Sequence, residues 1–328
     1  MKKNLGLLLK FTLAIGLIFW LVNSGKLDLN LIVRFMQNPM RFALGFGGLI
    51  LITLIVTWRY GFIIQSKIEK TVPFKDMLKY NWIGIFFNSV MPGSVSGDIV
   101  KVYYLRGYDE NLSTRFLFAS ILIDRFAGLF GIIFLLGFFS IFNYGPMTAL
   151  SPDVKYMLHL NFLLLAGVVF GFFLLFFGDK LPRKILAPMF KIDSLKNIAH
   201  KLIDAWENFC LFRGVMIKLT AISIVIQSLV VFFFWFMINP FADAPIPLMQ
   251  AYSLVPIGFI GIAVPLAPSG LGVGHALFHE LFQFIGVSNG ASLFNIFFLV
   301  QLLVNLVGVV PYITLSERDK KALTQPSM

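Results

Sequence analysis

The fold is decided by the stretch Asn88-Ser89-Val90-Met91-Pro92-Gly93-Ser94-Val95-Ser96-Gly97-Asp98, a Pro- and Gly-rich break inside an apolar segment. A second break of the same kind follows at Val264-Pro265-Leu266-Ala267-Pro268-Ser269-Gly270-Leu271-Gly272-Val273-Gly274. Inside a membrane, unwound backbone is tolerated only where protein buries it or a wet cavity hydrates it. Two such breaks therefore indicate an internal polar site.

The composition is that of an integral membrane protein. Of the 328 residues, 58% are apolar and 13% are charged, and the mean hydropathy is +0.84, a balance that soluble domains of this size do not show. The apolar run after Met1-Lys2-Lys3 has no cleavage site, so we expect a retained first helix. Cys210 is the only cysteine, which excludes an internal disulfide and a cysteine-based metal cluster, and no cofactor is expected.

The net charge of +11 is explained by the membrane surface. Lys and Arg collect on the cytoplasmic side of membrane proteins, where they bind anionic lipids of the inner leaflet. Binding of nucleic acid is not expected.

A helix that crosses the hydrocarbon core needs roughly 20 apolar residues. Six segments meet this length: residues 5–22, 42–64, 116–142, 158–177, 219–238 and 291–313. Two further apolar stretches, residues 80–105 and 252–284, contain the breaks. Each half of a broken stretch has about 11 residues, or roughly 16 Å of helix, which is half of the core thickness.

The distribution of positive charge decides between a broken crossing and a re-entrant hairpin. If residues 80–105 crossed the membrane, the Lys-rich loop before them and the basic loop at 180–218 would lie on opposite sides, against the positive-inside rule. If the stretch enters and returns, both loops and both termini are cytoplasmic, and Lys26, Arg34, Arg41 and Lys155 lie outside. We therefore predict an all-α, polytopic membrane protein with six spanning helices and two re-entrant helical hairpins.

The two broken stretches also resemble each other in sequence. Seven positions of the first recur in the second at nearly constant spacing: Pro73, Met77, Tyr80, Ile85, Phe87, Pro92 and Leu105 match Pro245, Met249, Tyr252, Ile257, Phe259, Pro268 and Leu281. The predicted topology brings the first hairpin in from the cytoplasmic face and the second from the outer face, which is the inverted-topology repeat of many transporters. We predict one transmembrane domain over residues 1–328, with repeat one at 42–142 and repeat two at 219–313. A helical bundle that merely tolerates glycine kinks is the alternative.

The basic loop at residues 179–218 is predicted to be cytoplasmic. Apolar residues recur in it at spacings of three and four: Leu195, Ile198, Leu202, Trp206 and Phe209. This periodicity predicts an amphipathic helix on the inner leaflet.

Asp124 and Arg125 lie in the middle third of an apolar segment. A charge inside the membrane costs at least a few kcal/mol and is a functional candidate by default. Neighbouring residues on a helix point about 100° apart, so these two need partners elsewhere. Candidate partners lie on the returning halves of the two hairpins: Asp98, Lys101, Arg106, His275, His279 and Glu280. A structural ion pair and a contact with substrate both remain open as roles.

The returning halves are predicted to begin after Ser94 and Ser269. Free backbone N–H groups and the positive ends of the helix dipoles would then point to the membrane centre, which favours an anion such as phosphate. Gly270 and Gly272 would let the backbone approach a ligand closely. The glycine run lacks both a preceding strand and the Lys-Ser/Thr of a P-loop, so nucleotide binding is not expected.

Metal binding and the role of Arg59 are interpreted separately. His275 and His279 alone make a weak metal pair, and Glu280 does not complete a zinc motif, so no metal site is expected. Arg59 lies nearer the end of its span and is interpreted as a snorkelling anchor.

Three motifs resemble those of a known family: NSVMPGSVSGDIVKVYYLRG at residues 88–107, Asp124-Arg125-Phe126-Ala127-Gly128, and Pro268-Ser269-Gly270-Leu271-Gly272-Val273 followed by Glu280. Together they resemble the lysylphosphatidylglycerol synthase transmembrane region family, the flippase-like module of the multiple peptide resistance factor proteins, which also occurs as a stand-alone protein. The resemblance implies a plasma-membrane protein that moves lipids between leaflets, lysylphosphatidylglycerol in the best-known members. It carries the family's polar positions over to Asp98, Arg106, Asp124, Arg125 and Glu280. The family's soluble aminoacyltransferase domain does not follow in this sequence, so aminoacylation of lipid is not expected.

Three functions are compatible with these features. The first is translocation, by alternating access, of a membrane phospholipid or isoprenoid lipid that bears phosphate, with or without an aminoacyl group. The second is an integral membrane transferase that acts on a lipid head group or isoprenoid phosphate, with Asp98 or Glu280 as general base. The third is a small-solute transporter.

The sequence leaves the oligomeric state open, and a homodimer is one of the alternatives. The candidate substrate-binding residues are Asp98, Lys101, Arg106, Asp124, Arg125, Ser269, Gly270, Gly272, His275 and Glu280.

Overall fold

The computed structural model describes residues 30–69, 71–90, 96–109, 111–178, 213–264 and 272–314, with a few isolated positions between 188 and 210. These residues form helices and turns, and no strand occurs among them, which confirms the all-α prediction for this part of the chain. The predicted first span at 5–22 and most of the predicted amphipathic helix in the loop at 179–218 lie outside the described residues.

Twelve α-helices make up the described part of the chain. In order they are α1 (Asn30–Met36), α2 (Pro39–Gln65), α3 (Phe74–Val90), α4 (Ser96–Arg106), α5 (Thr114–Phe142), α6 (Tyr144–Thr148), α7 (Pro152–Phe177), α8 (Arg213–Ile238), α9 (Leu248–Ala263), α10 (Val273–Gln283), α11 (Gly290–Leu306) and α12 (Val309–Ile313). Five segments among these residues are long and apolar enough to cross a membrane: Pro39–Gln65, Thr114–Phe142, Pro152–Phe177, Arg213–Phe241 and Gly290–Ile313. They correspond to the five predicted spans that fall within the described residues.

Polar caps set where the long helices begin. Asn38 accepts a hydrogen bond from the backbone N–H of Arg41 at 3.2 Å ahead of α2, and Ser113 accepts one from Phe116 at 3.2 Å ahead of α5. Such side chains bond N–H groups that have no partner within the helix. The chain therefore marks these two helix starts locally, before any tertiary contact is made.

The helices α2 and α8 pack closely in antiparallel directions. Near the start of α2, Gly45 faces Met237 and Gly48 faces Phe233, and each glycine leaves no room for a Cβ beside its partner. Near the end of α2, Arg59 meets Ser223. Residue numbers rise along one helix as they fall along the other, so these two predicted spans run in opposite directions.

Each broken stretch doubles back on itself. In the first, Gly84 on α3 lies against Gly97 on α4, and the rings of Tyr80 and Tyr104 stack with their centroids 5.1 Å apart. In the second, Gly258 on α9 lies against Phe278 on α10. We call α3 with α4 the first hairpin and α9 with α10 the second hairpin, and the two legs of each run antiparallel.

The last helices hold the first hairpin from the far end of the chain. The indole Nε1 of Trp82 donates to the carbonyl oxygen of Val304 at 3.0 Å, and the amide of Asn305 donates to the Ser89 hydroxyl at 2.8 Å. Gly308 lies against the backbone of Trp82, where a Cβ would have no space. The first hairpin is thus completed by residues more than two hundred positions later.

Candidate functional site

A fork-shaped ion pair joins α2 and α5 at the centre of the bundle. The Nε and Nη2 of Arg59 each lie 3.0 Å from a carboxylate oxygen of Asp124, and Nη1 donates to the hydroxyl of Ser223 on α8 at 2.6 Å. Arg59 is only 5% exposed. The interpretation of Arg59 as a snorkelling anchor is therefore wrong, because its guanidinium is buried and bound to a carboxylate rather than directed to the membrane surface.

A second ion pair joins α5 to the first hairpin. The Nη2 of Arg125 donates to Oδ2 of Asp98, which lies in the first turn of α4. Asp98 is buried, whereas the side chain of Arg125 is 46% exposed. The predicted need of Asp124 and Arg125 for separate partners is confirmed, and Asp98 is one of the predicted partners.

Lys101 lies between these pairs as a third, buried cation. Its Nζ donates to Oδ1 of Asn81 at 3.3 Å and sits 4.0 Å from the centre of the Tyr60 ring. The amide of Asn81 in turn donates to the Thr57 hydroxyl at 2.9 Å. Asp98 is one of the charged groups near Lys101, and the two side chains attract each other electrostatically.

We call these five side chains the charged cluster: Arg59, Asp98, Lys101, Asp124 and Arg125. Three are formally cationic and two are anionic, so the charged cluster has a formal excess of one positive charge. A positive excess in a poorly solvated site favours an anion. The charged cluster lies where α2, α4, α5 and α8 meet.

A cavity of about 670 Å³ lies beside the charged cluster. The ends of both hairpins border it, through Asn88 and Ser89 of the first and Ile262 and Ala263 of the second. Most of its other walls are apolar side chains of α5, α8 and α11, and Arg125 is its one charged lining residue among the described positions. The cavity thus offers one cationic group on an otherwise mostly apolar wall.

Several predicted site residues do not join the charged cluster. Arg106 is exposed in the last turn of α4, and Glu280 is exposed on α10. Ser269 and Gly270 lie outside the described residues. Gly272 precedes α10 with a φ of 77°, a left-handed conformation that glycine adopts at no steric cost.

The second hairpin buries its histidines among aromatic rings. His275 is 1% exposed, its Nε2 lies 3.2 Å from Oδ1 of Asn295, and its ring meets Phe294 edge to face. His279 bonds the amide of Gln283 at 2.8 Å. Neither histidine borders the cavity, and the substrate contact of His275 stays a prediction. Across the described residues, no three His, Cys, Asp or Glu side chains are grouped so that they could hold a metal ion.

Comparison with known families identifies the chain. The sequence model described as "Lysylphosphatidylglycerol synthase TM region" matches residues 7–310. The chain belongs to this family. Among curated proteins the comparison finds no match.

Membership in the lysylphosphatidylglycerol synthase TM region family accounts for the apolar composition and the multi-pass architecture. Of the five positions that the resemblance carried over, Asp98, Asp124 and Arg125 fall in the charged cluster, and Arg106 and Glu280 do not. The other two members of the charged cluster are Lys101, which was predicted from its position on the first hairpin, and Arg59, which was not predicted.

Proposed function

We propose that the chain moves a phosphate-bearing membrane lipid from one leaflet to the other. The observation that carries this proposal is the cavity between the two hairpin ends, whose walls are mostly apolar and whose charged lining group is Arg125. A guanidinium binds phosphate through two parallel hydrogen bonds, which makes it the preferred partner of a phosphodiester. A site of this kind suits an amphiphile with a phosphate head group better than a small hydrophilic solute.

The proposed membrane arrangement is the inverted repeat inferred from the sequence. The antiparallel legs of both hairpins support re-entry, since each stretch returns toward the side from which it came. The antiparallel packing of α2 and α8 supports opposite entry of the two repeats. In this arrangement both termini and the basic loop at 179–218 face the cytoplasm, and the protein resides in the plasma membrane.

The ion pair between Arg125 and Asp98 gives a means of coupling lipid binding to movement. A phosphate that enters the cavity competes with Asp98 for the guanidinium of Arg125, and the Asp98 carboxylate then turns toward Lys101, with which it already interacts electrostatically. Binding of phosphate thereby loosens the link between α5 and the first hairpin. The two repeats alternate access as this link opens and closes, in the way that inverted-repeat transporters rock around a fixed site.

The transferase alternative has less geometric support. Asp98 is held in an ion pair, and Glu280 is exposed and does not line the cavity. A general base must reach the proton that it removes, directly or through one water. Neither carboxylate is placed as a base for a lipid in the cavity.

Leaflet exchange of a fluorescent lipid tests the proposal. The purified chain is reconstituted into liposomes that contain tail-labelled phosphatidylglycerol in both leaflets, and dithionite then bleaches the outer leaflet. We expect the bleached fraction to rise beyond the outer-leaflet share, at a rate well above that of protein-free liposomes. Exchange no faster than in protein-free liposomes, across anionic, zwitterionic and cationic head groups, would remove the proposal.

A further inference from the structure

Among the residues that the structure describes, the polar lining of the cavity is neutral apart from one cation. It consists of one guanidinium, four carboxamides and one hydroxyl: Arg125, Asn88, Gln227, Gln301, Asn305 and Ser89. A carboxamide offers both a donor and an acceptor and carries no formal charge. The lining is therefore equipped for a phosphate and for hydroxyl groups.

No carboxylate lines the cavity among the described residues. Asp98 and Asp124 are each bound to an arginine in the charged cluster, and Glu280 is exposed elsewhere on α10. Residues 91–95 and 265–271, which connect the legs of the two hairpins, include neither Asp nor Glu in the sequence. Among the described lining residues, a cationic head group would thus meet a guanidinium and no carboxylate, since Asp98 is already paired with that guanidinium and does not line the cavity.

Two of the carboxamides, Gln301 and Asn305, form an amide ladder with Ser89 on one wall. The amide of Gln301 donates to Oδ1 of Asn305 at 2.8 Å, and the amide of Asn305 donates to the hydroxyl of Ser89 at 2.8 Å. On the facing helices, the amide of Gln227 donates to the carbonyl oxygen of Gly128 at 3.5 Å. Within the described part of the chain, the side-chain carbonyl oxygens of Gln227 and Gln301 accept no hydrogen bond, and hydroxyl groups of a ligand can donate to them.

We propose that the cavity selects an anionic lipid whose head group, beyond its phosphate, is neutral and rich in hydroxyls, and that it disfavours an aminoacylated, cationic head group. This inference rests on the proposed lipid translocation and names its substrate class. An ammonium could also donate to the carbonyl oxygens of Gln227 and Gln301. Those oxygens carry no full negative charge, so they do not offset the repulsion between the ammonium and Arg125. Like charges placed side by side in such an interface are strongly disfavoured.

Paired lipids test the selectivity. Phosphatidylglycerol and lysylphosphatidylglycerol with the same labelled acyl chain are compared in the leaflet-exchange assay, and a neutral glycolipid without phosphate is the third arm. We expect phosphatidylglycerol to exchange at least about tenfold faster than lysylphosphatidylglycerol, since one repelled charge is worth about that factor or more. The glycolipid should exchange slowly, because it has no phosphate for Arg125. Equal or faster exchange of the lysyl lipid, or of the glycolipid, would overturn the inference.

Two substitutions of the same cavity residue, one that adds a negative charge and one that does not, test the role of charge in the selectivity. Gln301→Glu places a carboxylate in the amide ladder, and Gln301→Leu removes the amide without adding charge. The ratio of phosphatidylglycerol to lysylphosphatidylglycerol exchange should fall about tenfold in Gln301→Glu and stay near the original ratio in Gln301→Leu. An unchanged ratio in Gln301→Glu would contradict the inference.

Binding in detergent separates this inference from the proposed function. Native mass spectrometry of the intact chain with equimolar phosphatidylglycerol and lysylphosphatidylglycerol measures selectivity without transport. In one outcome, no lipid exchanges, but phosphatidylglycerol still binds preferentially and Arg125→Gln abolishes that preference. The proposal of translocation is then wrong, and the proposed class of ligand is supported. If lipids exchange but the lysyl lipid binds equally well, the ligand class fails and translocation stands.

Discussion

Both hairpins contain contacts between aromatic rings, but the first is also held by charged and amide side chains and by a backbone contact between two glycines, whereas the second is held mainly by packed rings. On the first, Asp98 and Lys101 belong to the charged cluster. On the second, Phe278 is fully buried, and its ring lies 4.9 Å from the rings of Phe234 and Phe294. Two elements of the same shape are thus stabilised by different physical interactions.

Under the proposed alternating access, this difference in contacts predicts which hairpin moves. Aromatic packing is short-ranged and is lost when the rings separate, so the second hairpin behaves as part of the rigid core. The ion pair between Asp98 and Arg125 can be exchanged for another pairing, because phosphate and Lys101 offer alternative partners. We therefore expect the first hairpin to be the mobile element and the second to be the fixed one.

The largest expected effect comes from Asp124→Ala. This change leaves the guanidinium of Arg59, which is 5% exposed, without its carboxylate, and removal of one partner of a buried pair costs about 3–5 kcal/mol. The free energy of unfolding in detergent, measured by denaturant titration, checks this. Glu280→Ala on the exposed face of the second hairpin is the control and should stay within about 0.5 kcal/mol of the parent protein. Equal stability of the two variants would show that the pair is not structural.

The next largest loss of stability is expected when a glycine inside either hairpin is replaced by alanine. A Cβ on Gly97 would overlap the backbone carbonyl of Gly84, whereas a Cβ on Gly258 would meet the side-chain ring of Phe278. The Phe278 ring is fully buried and can shift only slightly, but a carbonyl within a helix backbone can shift even less. We therefore expect Gly97→Ala to cost about 3 kcal/mol and Gly258→Ala about 2 kcal/mol. Thermal unfolding of both variants in the same detergent shows which of them loses more stability. The reverse order would mean that the second hairpin is the more tightly constrained one.

Arg125→Gln should slow leaflet exchange of phosphatidylglycerol about tenfold, which corresponds to about 1.4 kcal/mol. The reason is the loss of the charged lining group of the cavity and of the partner of Asp98. Arg125→Lys should recover part of the rate, because it keeps the charge but not the fork geometry. Glu280→Gln should leave the rate unchanged. A rate that falls equally in Arg125→Gln and Glu280→Gln would place the phosphate contact outside the cavity.

Lys101→Met should have a small effect on stability. The ammonium of Lys101 is buried and bonds Asn81, and no carboxylate of the described residues lies within ion-pair distance of it. Loss of that hydrogen bond is offset by relief of a buried charge, so we expect a change of less than about 1 kcal/mol in the free energy of unfolding. Leaflet exchange should nevertheless slow, because Asp98 loses its alternative partner. Unchanged exchange in Lys101→Met would remove Lys101 from the mechanism.

The sequence predicted the helical class and most of the spans because hydropathy and length suffice for both. Residues 116–142, for example, were predicted as a span, and the helix runs Thr114–Phe142. The charged residues of the first hairpin were also found, since an ionisable group is rare in an apolar run and needs a buried partner or a ligand there. The antiparallel pairing of the hairpin legs agrees with the re-entrant prediction, and entry from opposite membrane faces remains a prediction.

The sequence did not predict the partners that the fold brings together. Arg59 was assigned to the membrane surface from its distance to the span end, although the unbalanced charge of Asp124 was a signal that a cation had to lie nearby. Gln227, Gln301 and Asn305 were missed as cavity residues. Single amides in apolar helices are common at helix contacts, and only three-dimensional packing shows which of them face a cavity. Glu280 was predicted from its place on the returning half of the second hairpin and from the family motif, but it is exposed and does not line the cavity.

The hydrogen bonds that link Trp82 to Val304 and Ser89 to Asn305 have a consequence for biosynthesis. Ribosomes add about 5–20 residues per second, so the segment of chain that secures the first hairpin emerges roughly 10–40 s after the hairpin itself. During that interval the indole N–H and the serine hydroxyl have not met these partners. The first hairpin therefore acquires these two hydrogen bonds only after residues 304 and 305 have been added to the chain.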